Sequence, residues 1–199
     1  LSEDPVEWLS KSDADGVILV GDEKQLPPVI QSELAKDLEK TLFESLYNEY
    51  HNDPNINNVT LMLDIQHRMA EPIANFISNE FYEGNLKTSE NCKKQQLKIE
   101  LNQSDLKDII DPNQPMTLVH TKTSAIVPRD RTSPHEVEII TDILNNLIQC
   151  GVSPENIGII APYRAQVAEI RRSIEEKLHE AFFSSNQGNR IVDTVDRFQ

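Results

Sequence analysis

Short apolar runs recur along this chain of 199 residues, each passing through a polar turn into a segment whose apolar residues repeat every three or four positions. A run of four to eight apolar residues fits a strand covered on both faces, and the 3.6-residue period fits a helix with one buried stripe. Strand and helix in alternation predict an α/β fold, a parallel sheet flanked by helices, because parallel strands need a crossover to join them.

The predicted elements follow from that pattern. Val17–Val20, Val59–Leu63, Met116–Val119, Ile157–Ala161 and Ile191–Val195 read as strands. Leu38, Leu42, Leu46 and Tyr50 give one helix, and Ile73, Phe76, Ile77 and Phe81 behind Pro72 give a second. Ser133-Pro134-His135-Glu136 has the form of a capping box, opening a helix on Val137, Ile140, Leu144 and Leu147 that ends near Cys150-Gly151. Val167, Ile170, Ile174 and Leu178 mark the last long helix. The polar cluster 51–58 is the best candidate for a domain boundary, residues 88–115 read as a solvated excursion with room for a short helix or strand, and residues 121–131 as a polar loop.

Composition narrows the class. Hydrophobic residues make up 38% and charged residues 26%, a balance that can support a packed core. No apolar run approaches the ~20 residues that cross a bilayer, and Leu1–Ser10 carries three carboxylates with no basic residue, unlike a secretory signal. Cys92 and Cys150 are too isolated for a disulfide framework or a metal site, which points to a reducing, intracellular setting, cytoplasm or nucleus. The formal net charge of −14 is unlike that of a free-standing nucleic-acid binder. It is uneven: 4 basic against 12 acidic side chains in residues 1–50, but 6 of each in 161–199. The C-terminal part can therefore carry a nucleic-acid surface most easily, while the acidic remainder suits protein partners.

Four blocks stand where an α/β sheet places its chemistry, at the carboxyl ends of strands. Gly21-Asp22-Glu23-Lys24-Gln25-Leu26-Pro27-Pro28 follows the first strand. Its Gln can orient a water or sense a phosphate without adding charge, although Gly-Asp alone is more often a simple turn. Gln66-His67-Arg68-Met69 precedes the Pro72 helix. A fixed Arg there can neutralise charge on a transferred γ-phosphoryl group, and the His can stack on a base; alone, such a pair is more often a surface ion-pair group. Ala161-Pro162-Tyr163-Arg164-Ala165-Gln166 puts Tyr163, Arg164 and Gln166 at a helix N-terminus, a place for anions and a base, or equally a plain strand-to-helix turn. Val192-Asp193-Thr194-Val195-Asp196-Arg197-Phe198-Gln199 can offer Thr194 to phosphate oxygens, with Phe198 read as core.

The order and spacing of these blocks resemble superfamily 1 RecA-like helicases, in the branch of the nonsense-mediated-decay helicase, senataxin and the replication nuclease-helicase. The resemblance runs from about Gly16 to Gln199. Val17–Pro28 resembles that family's motif III, and Leu61–Leu86, with Gln66–Met69 and Phe81-Tyr82-Glu83-Gly84, its motif IV region. Ser133–Glu136, Ile157–Gln166 and Val192–Gln199 match later blocks, the last resembling motif V. It implies a RecA-like, P-loop-NTPase-type sheet in two domains with ATP between them, residues 1–52 ending the first and 53–199 forming most of the second. By the family pattern Gly21, Asp22, Gln25, His67, Arg68 and Gln199 serve the nucleotide. Gln25 couples γ-phosphate state to domain closure, Arg68 reaches the γ-phosphate, His67 lies near the adenine in place of a frequent Tyr, and Gln199 links strand contact to nucleotide. Pro28, Tyr163, Arg164, Gln166 and Thr194 would face a single strand of DNA or RNA.

The departures are equally definite. The chain holds no Gly-x-x-x-x-Gly-Lys-Ser/Thr phosphate loop and no acidic Mg²⁺-binding motif, has no starting Met, and stops inside its fourth block. It reads as an internal piece of an ATP-dependent helicase or translocase, with the Mg²⁺ ligands outside the piece and the piece itself inactive. The alternative is a degenerate RecA-like module that binds a partner without hydrolysing ATP.

Overall fold

The structure is a computed structural model, and it describes residues 15–26, 40–51, 59–99, 106–121, 131–183 and 191–198. These fall into two compact units: those within 1–66 and 77–87, and those within 67–76 and 88–199. The expected boundary at 52–58 and most of the 121–131 loop lie outside the described residues.

In the first unit, helix α1 (Leu42–Tyr50) opens on Thr41, whose Oγ1 accepts the Glu44 backbone N–H at 3.1 Å. Phe43, Tyr47 and His51, four residues apart, stack along one face, with ring centroids 6.2 Å and 4.4 Å apart. Strand β1 (Ile65–Gln66) pairs with β2 (Lys87–Thr88), and the Lys87 ammonium adds an ion pair to Asp64 at 2.8 Å. Helix α2 (Glu71–Phe81) has residues 71–76 in the second unit and 77–81 in the first, where it ends in a tight turn. Tyr82 and Gly84 both donate their backbone N–H to the Ser78 carbonyl, and Glu83 (φ 54°) and Gly84 (φ 78°) take left-handed backbone to make that possible. The sequence predicts an α2 stripe of Ile73, Phe76, Ile77 and Phe81; Ile73 and Ile77 are partly buried, the buried positions beside them are Ala70, Ala74 and Ser78, and Phe76 and Phe81 are half exposed.

The second unit carries the packed core. A short helix α3 (Glu90–Lys93) buries Cys92 in the stretch read as a solvated excursion. Helix α4 (Pro134–Gln149) and helix α5 (Arg164–Phe183) lie beside a parallel ladder of β3 (Ile159–Ile160) and β4 (Val192–Asp193). Ile159 N–H donates to the Ile191 carbonyl at 2.6 Å, and Ala161 N–H to the Asp193 carbonyl at 3.1 Å. Helix α5 is thus the crossover between parallel strands, as the alternation predicted. Val137 and Leu144 of α4 close on Val167, Ile170 and Ile174 of α5 and on Ala161, Ile191 and Val192. Each large apolar side chain buried there stabilises the fold by about 1.5–3 kcal/mol. Inside this packing, Thr141 Oγ1 donates to the Val137 carbonyl at 2.7 Å and lies 3.0 Å from Ser173 Oγ, so a buried hydroxyl pair joins the two helices without an unmet donor. Helix α4 stops where expected: Gly151 has φ 90°, and Val152 N–H returns to the Leu147 carbonyl. A final turn of helix, α6 (Val195–Phe198), follows β4 directly.

Three predicted strands are not in a ladder among the described residues. Val17–Val20, Val59–Leu63 and Met116–Val119 are unpaired, and they carry some of the most exposed apolar side chains, with Ile18 at 92%, Leu61 at 89% and Leu118 at 80%. A β-branched run encodes an extended backbone, but a strand also needs a neighbour to share hydrogen bonds and cover its faces, and no described segment supplies one. Both cysteines are free and buried. No helix among the described residues is long and apolar enough to cross a membrane.

Ile170 is fully buried at the centre of the core. Ile170→Ala is expected to lower the unfolding free energy by about 2–5 kcal/mol in urea denaturation; a loss under about 1 kcal/mol would mean that this packing does not govern stability.

Candidate nucleotide and nucleic-acid sites

The first block is built around one carboxylate. The chain bends at Gly21 against the Phe43 ring, where an added Cβ would lie 3.1 Å from ring carbons. Asp22 Oδ1 accepts the Lys24 backbone N–H at 3.1 Å, while its Oδ2 accepts both the Gln25 Nε2–H at 2.9 Å and the Tyr82 hydroxyl at 2.5 Å. Burial opposes ionisation and is the largest single influence on Asp22. The Tyr82 and Gln25 donors, the Lys24 amide and the Lys24 charge together outweigh it, and hold the carboxyl below its ordinary range. The same pair acts on Tyr82: burial first, then its bond to Asp22 and the charges of Asp22 and Glu23, push the phenol up to about 12. Pro28 lies outside the described residues.

Of the second block, Gln66 ends a segment of the first unit, and His67, Arg68 and Met69 belong to the other. His67 and Arg68 are exposed on the bend between β1 and α2, and α2 opens with Glu71 and Pro72 in its first turn. The structure therefore brings Gly21, Asp22 and Gln25 together, and sets His67 and Arg68 side by side in the second unit.

The third block divides by side chain. Tyr163 and Arg164 are exposed at the start of α5, and the Arg131 guanidinium lies over the Tyr163 ring, 5.2 Å from its centroid. Arg131 holds left-handed backbone, φ 59°. Gln166 faces the other way. It is buried, its Oε1 accepts the Ser133 backbone N–H at 2.7 Å, and its Nε2 donates to the Ser133 carbonyl at 3.3 Å. The capping box expected at Ser133 is consequently half-formed. Ser133 Oγ accepts the Glu136 N–H, but the Ser133 N–H that Glu136 would reach is taken by Gln166. Gln166 sits in this block as a clamp between the N-termini of α4 and α5.

The fourth block is tied back to α5. Arg171 donates through Nε and Nη2 to the Val192 carbonyl, at 3.1 and 2.6 Å, and reaches Asp193 Oδ2 at 3.3 Å. Asp193 Oδ1 accepts the Thr194 N–H at 2.9 Å, and Arg197 N–H donates to the Thr194 carbonyl at 3.1 Å. Thr194 is thus buried in a turn fixed at both its backbone groups. Phe198, read as core, is partly exposed, with its ring against Gly158. Gln199 lies outside the described residues. Sequence reasoning passed over Tyr82, Arg131 and Arg171. Tyr82 stood inside the Phe81–Gly84 block and could have been singled out there; nothing in the pattern around Arg171 marks it.

Among the described residues no group of three His, Cys, Asp or Glu side chains is placed to hold a metal ion. A family model described as an AAA domain matches residues 38–199. The chain belongs to this family, that of the superfamily 1 helicases. It is 35% identical over 193 residues to an uncharacterized ATP-dependent helicase of Methanocaldococcus jannaschii, covering 92% of this chain and 26% of that protein. It is 27% identical over 206 residues to the DNA replication ATP-dependent helicase/nuclease DNA2 of Xenopus laevis (94% of this chain, 18% of that protein). To the helicase sen1 of Schizosaccharomyces pombe it is 29% identical over 187 residues (92% and 10%). The chain spans about a quarter or less of the length of these relatives. Membership of this helicase family implies a RecA-like α/β fold.

Gln166→Leu strands the Ser133 N–H and carbonyl, and is expected to destabilise the chain by about 1–3 kcal/mol in urea unfolding; no measurable change would show the clamp to be dispensable. A second expectation concerns pH. Because the Tyr82 phenol is raised above its ordinary value of 10.0, its contribution to stability is complete below that value and lost as pH rises through about 12. The stability difference between wild type and Tyr82→Phe should stay level up to about pH 10 and narrow above it. A difference that widens there would reverse the sign assigned to this pair.

Proposed function

We propose that this chain is part of an ATP-dependent helicase or translocase that couples ATP hydrolysis to movement along a single strand of DNA or RNA inside the cell. The observation that carries the reading is the family match over residues 38–199, together with four blocks that keep the family's order along the chain. Residues 1–52 belong to the end of the first RecA-like domain and 53–199 to most of the second, a parallel sheet flanked by helices.

In this reading Gly21, Asp22 and Gln25 form the loop that responds to the γ-phosphate, His67 lies by the adenine, and Arg68 neutralises charge on the transferred phosphoryl group. Tyr163 offers a ring to a base, Arg164 a guanidinium to a phosphate, and Pro28 and Thr194 line the strand's path. Gln166 serves that surface by holding the α5 N-terminus in place, since both ends of its amide are engaged with Ser133. Gln199 connects strand contact to nucleotide. The phosphate loop and Mg²⁺ ligands of the motor are not among these 199 residues, so the piece alone turns over little or no ATP. Mg²⁺ would supply charge neutralisation at the phosphates when bound.

The test is ATP hydrolysis by the full-length protein with and without single-stranded oligonucleotides, wild type against Arg68→Ala. The expected result is stimulated turnover that falls by about 10³–10⁵ in the variant, the effect of removing a charge that stabilises the transition state. Turnover unchanged in Arg68→Ala would remove that assignment. No turnover in the wild type would favour a partner-binding module, for which the −14 net charge is the supporting feature.

A further inference from the structure

We propose that Tyr82 is a positioning residue for Gln25, acting through the Asp22 carboxylate. The inference deepens the functional reading above and rests on it. Three side chains meet at one oxygen: Asp22 Oδ2 accepts the Tyr82 hydroxyl at 2.5 Å and the Gln25 Nε2–H at 2.9 Å. An ionised carboxylate only accepts, so the amide of Gln25 must turn its nitrogen inward to Asp22. Its carbonyl oxygen, Oε1, is then the atom left to point away from the loop. A carbonyl presented in this way accepts a hydrogen bond, which suits it to orient a water molecule rather than to grip a phosphate oxygen.

Tyr82 supplies what the loop cannot supply for itself. Residues 21–26 form an exposed turn, and Asp22 and Gln25 are three residues apart on it, so their mutual bond is local and cheap to break. Tyr82 comes from 60 positions further along the chain and is rigidly mounted. Its own N–H is bonded to the Ser78 carbonyl, Glu83 and Gly84 hold left-handed backbone, and buried Ser78 accepts the Leu86 N–H through Oγ at 3.0 Å. A phenol fixed in this way holds Oδ2 in one position, and Oδ2 in turn holds the Gln25 amide. With the donor gone, the carboxylate can rotate toward solvent or the Lys24 ammonium, and Gln25 loses its fixed orientation. The lowered Asp22 and raised Tyr82 titration agree with a strong neutral-donor to carboxylate bond.

The experiment is a double-mutant cycle on the full-length protein, reading kcat and KM for ATP with saturating single-stranded oligonucleotide. Tyr82→Phe keeps the ring and removes only the donor. It should lower kcat about tenfold while KM for ATP changes less than about twofold, and should have no further effect in a Gln25→Ala background. Asp22→Asn, near-identical in size, provides the same cycle should Tyr82→Phe fail to fold. Wild-type kcat in Tyr82→Phe alongside collapse in Gln25→Ala would overturn the inference and leave the functional reading standing. An equal further loss in the Gln25→Ala background would also overturn it, since Tyr82 would then act elsewhere. Absence of turnover in the wild type would remove the functional reading and this inference with it.

Discussion

Helix α5 packs one apolar face against both α4 and the β3–β4 ladder, and the rest of the second unit is placed by that contact. Val167, Ile170 and Ile174 recur at three- and four-residue steps, so they lie on one stripe and are buried together. Because α5 is also the connection between two parallel strands, seating it fixes their register, Ile159 with Val192 and Ile160 with Asp193. Both strands then finish at the same end of the ladder. Tyr163 and Arg164 follow β3, and Thr194 follows β4, so two blocks 30 residues apart emerge together where α/β sheets place ligands.

Polar bonds sharpen what the apolar core has placed. Gln166 joins the Ser133 backbone at the start of α4 to the first turn of α5, and Arg171 joins α5 to the Val192 carbonyl at the outer edge of β4. Each such bond contributes about 0.5–1.5 kcal/mol net, less than one well-buried aliphatic side chain. Their weight lies in geometry instead. An apolar stripe tolerates small sliding, whereas an amide engaged at both ends, or a guanidinium bonded twice to one carbonyl, does not. The exposed Tyr163 and the turn at Thr194 each stand one to three residues from such a fixed point.

What the sequence made legible follows from which forces act locally. The helices on Val137, Leu144, Ile170 and Ile174 are written in a 3.6-residue period and appear as read with the stop at Gly151, while the capping box at Ser133 forms only its serine half. The runs Val17–Val20, Val59–Leu63 and Met116–Val119 state a preference for extended chain, but a strand exists only with a partner, and partnership is not a local property. The stripe of α2 was read in part: Ile73 and Ile77 are partly buried, but the deepest positions beside them are Ala70, Ala74 and Ser78, weak in hydropathy and small, while Phe76 and Phe81 stay half exposed. Of the site, the blocks could be read but not the direction of each side chain. Gln166 turning inward depends on Ser133, 33 positions away, and the Tyr82–Asp22 bond on a turn 60 positions from the loop it steadies.

The charges near the ends of β3 and β4 set the electrostatics of the surface that the proposed function gives to a nucleic-acid strand. Four arginines lie there in sequence, Arg131, Arg164, Arg171 and Arg197, but they are not equivalent. Arg171 and Arg197 share the Asp193 carboxylate, at 3.3 and 3.9 Å, and Arg171 is further bonded to backbone. The one carboxylate offsets one of these two charges. Arg131 lies over the Tyr163 ring, and Tyr163 is half exposed. Arg164 is exposed at a helix N-terminus, where the backbone dipole adds to its attraction for a phosphate. In the proposed reading a strand held here would meet both arginine charge and one aromatic ring, so stacking on Tyr163 would add to charge neutralisation rather than replace it.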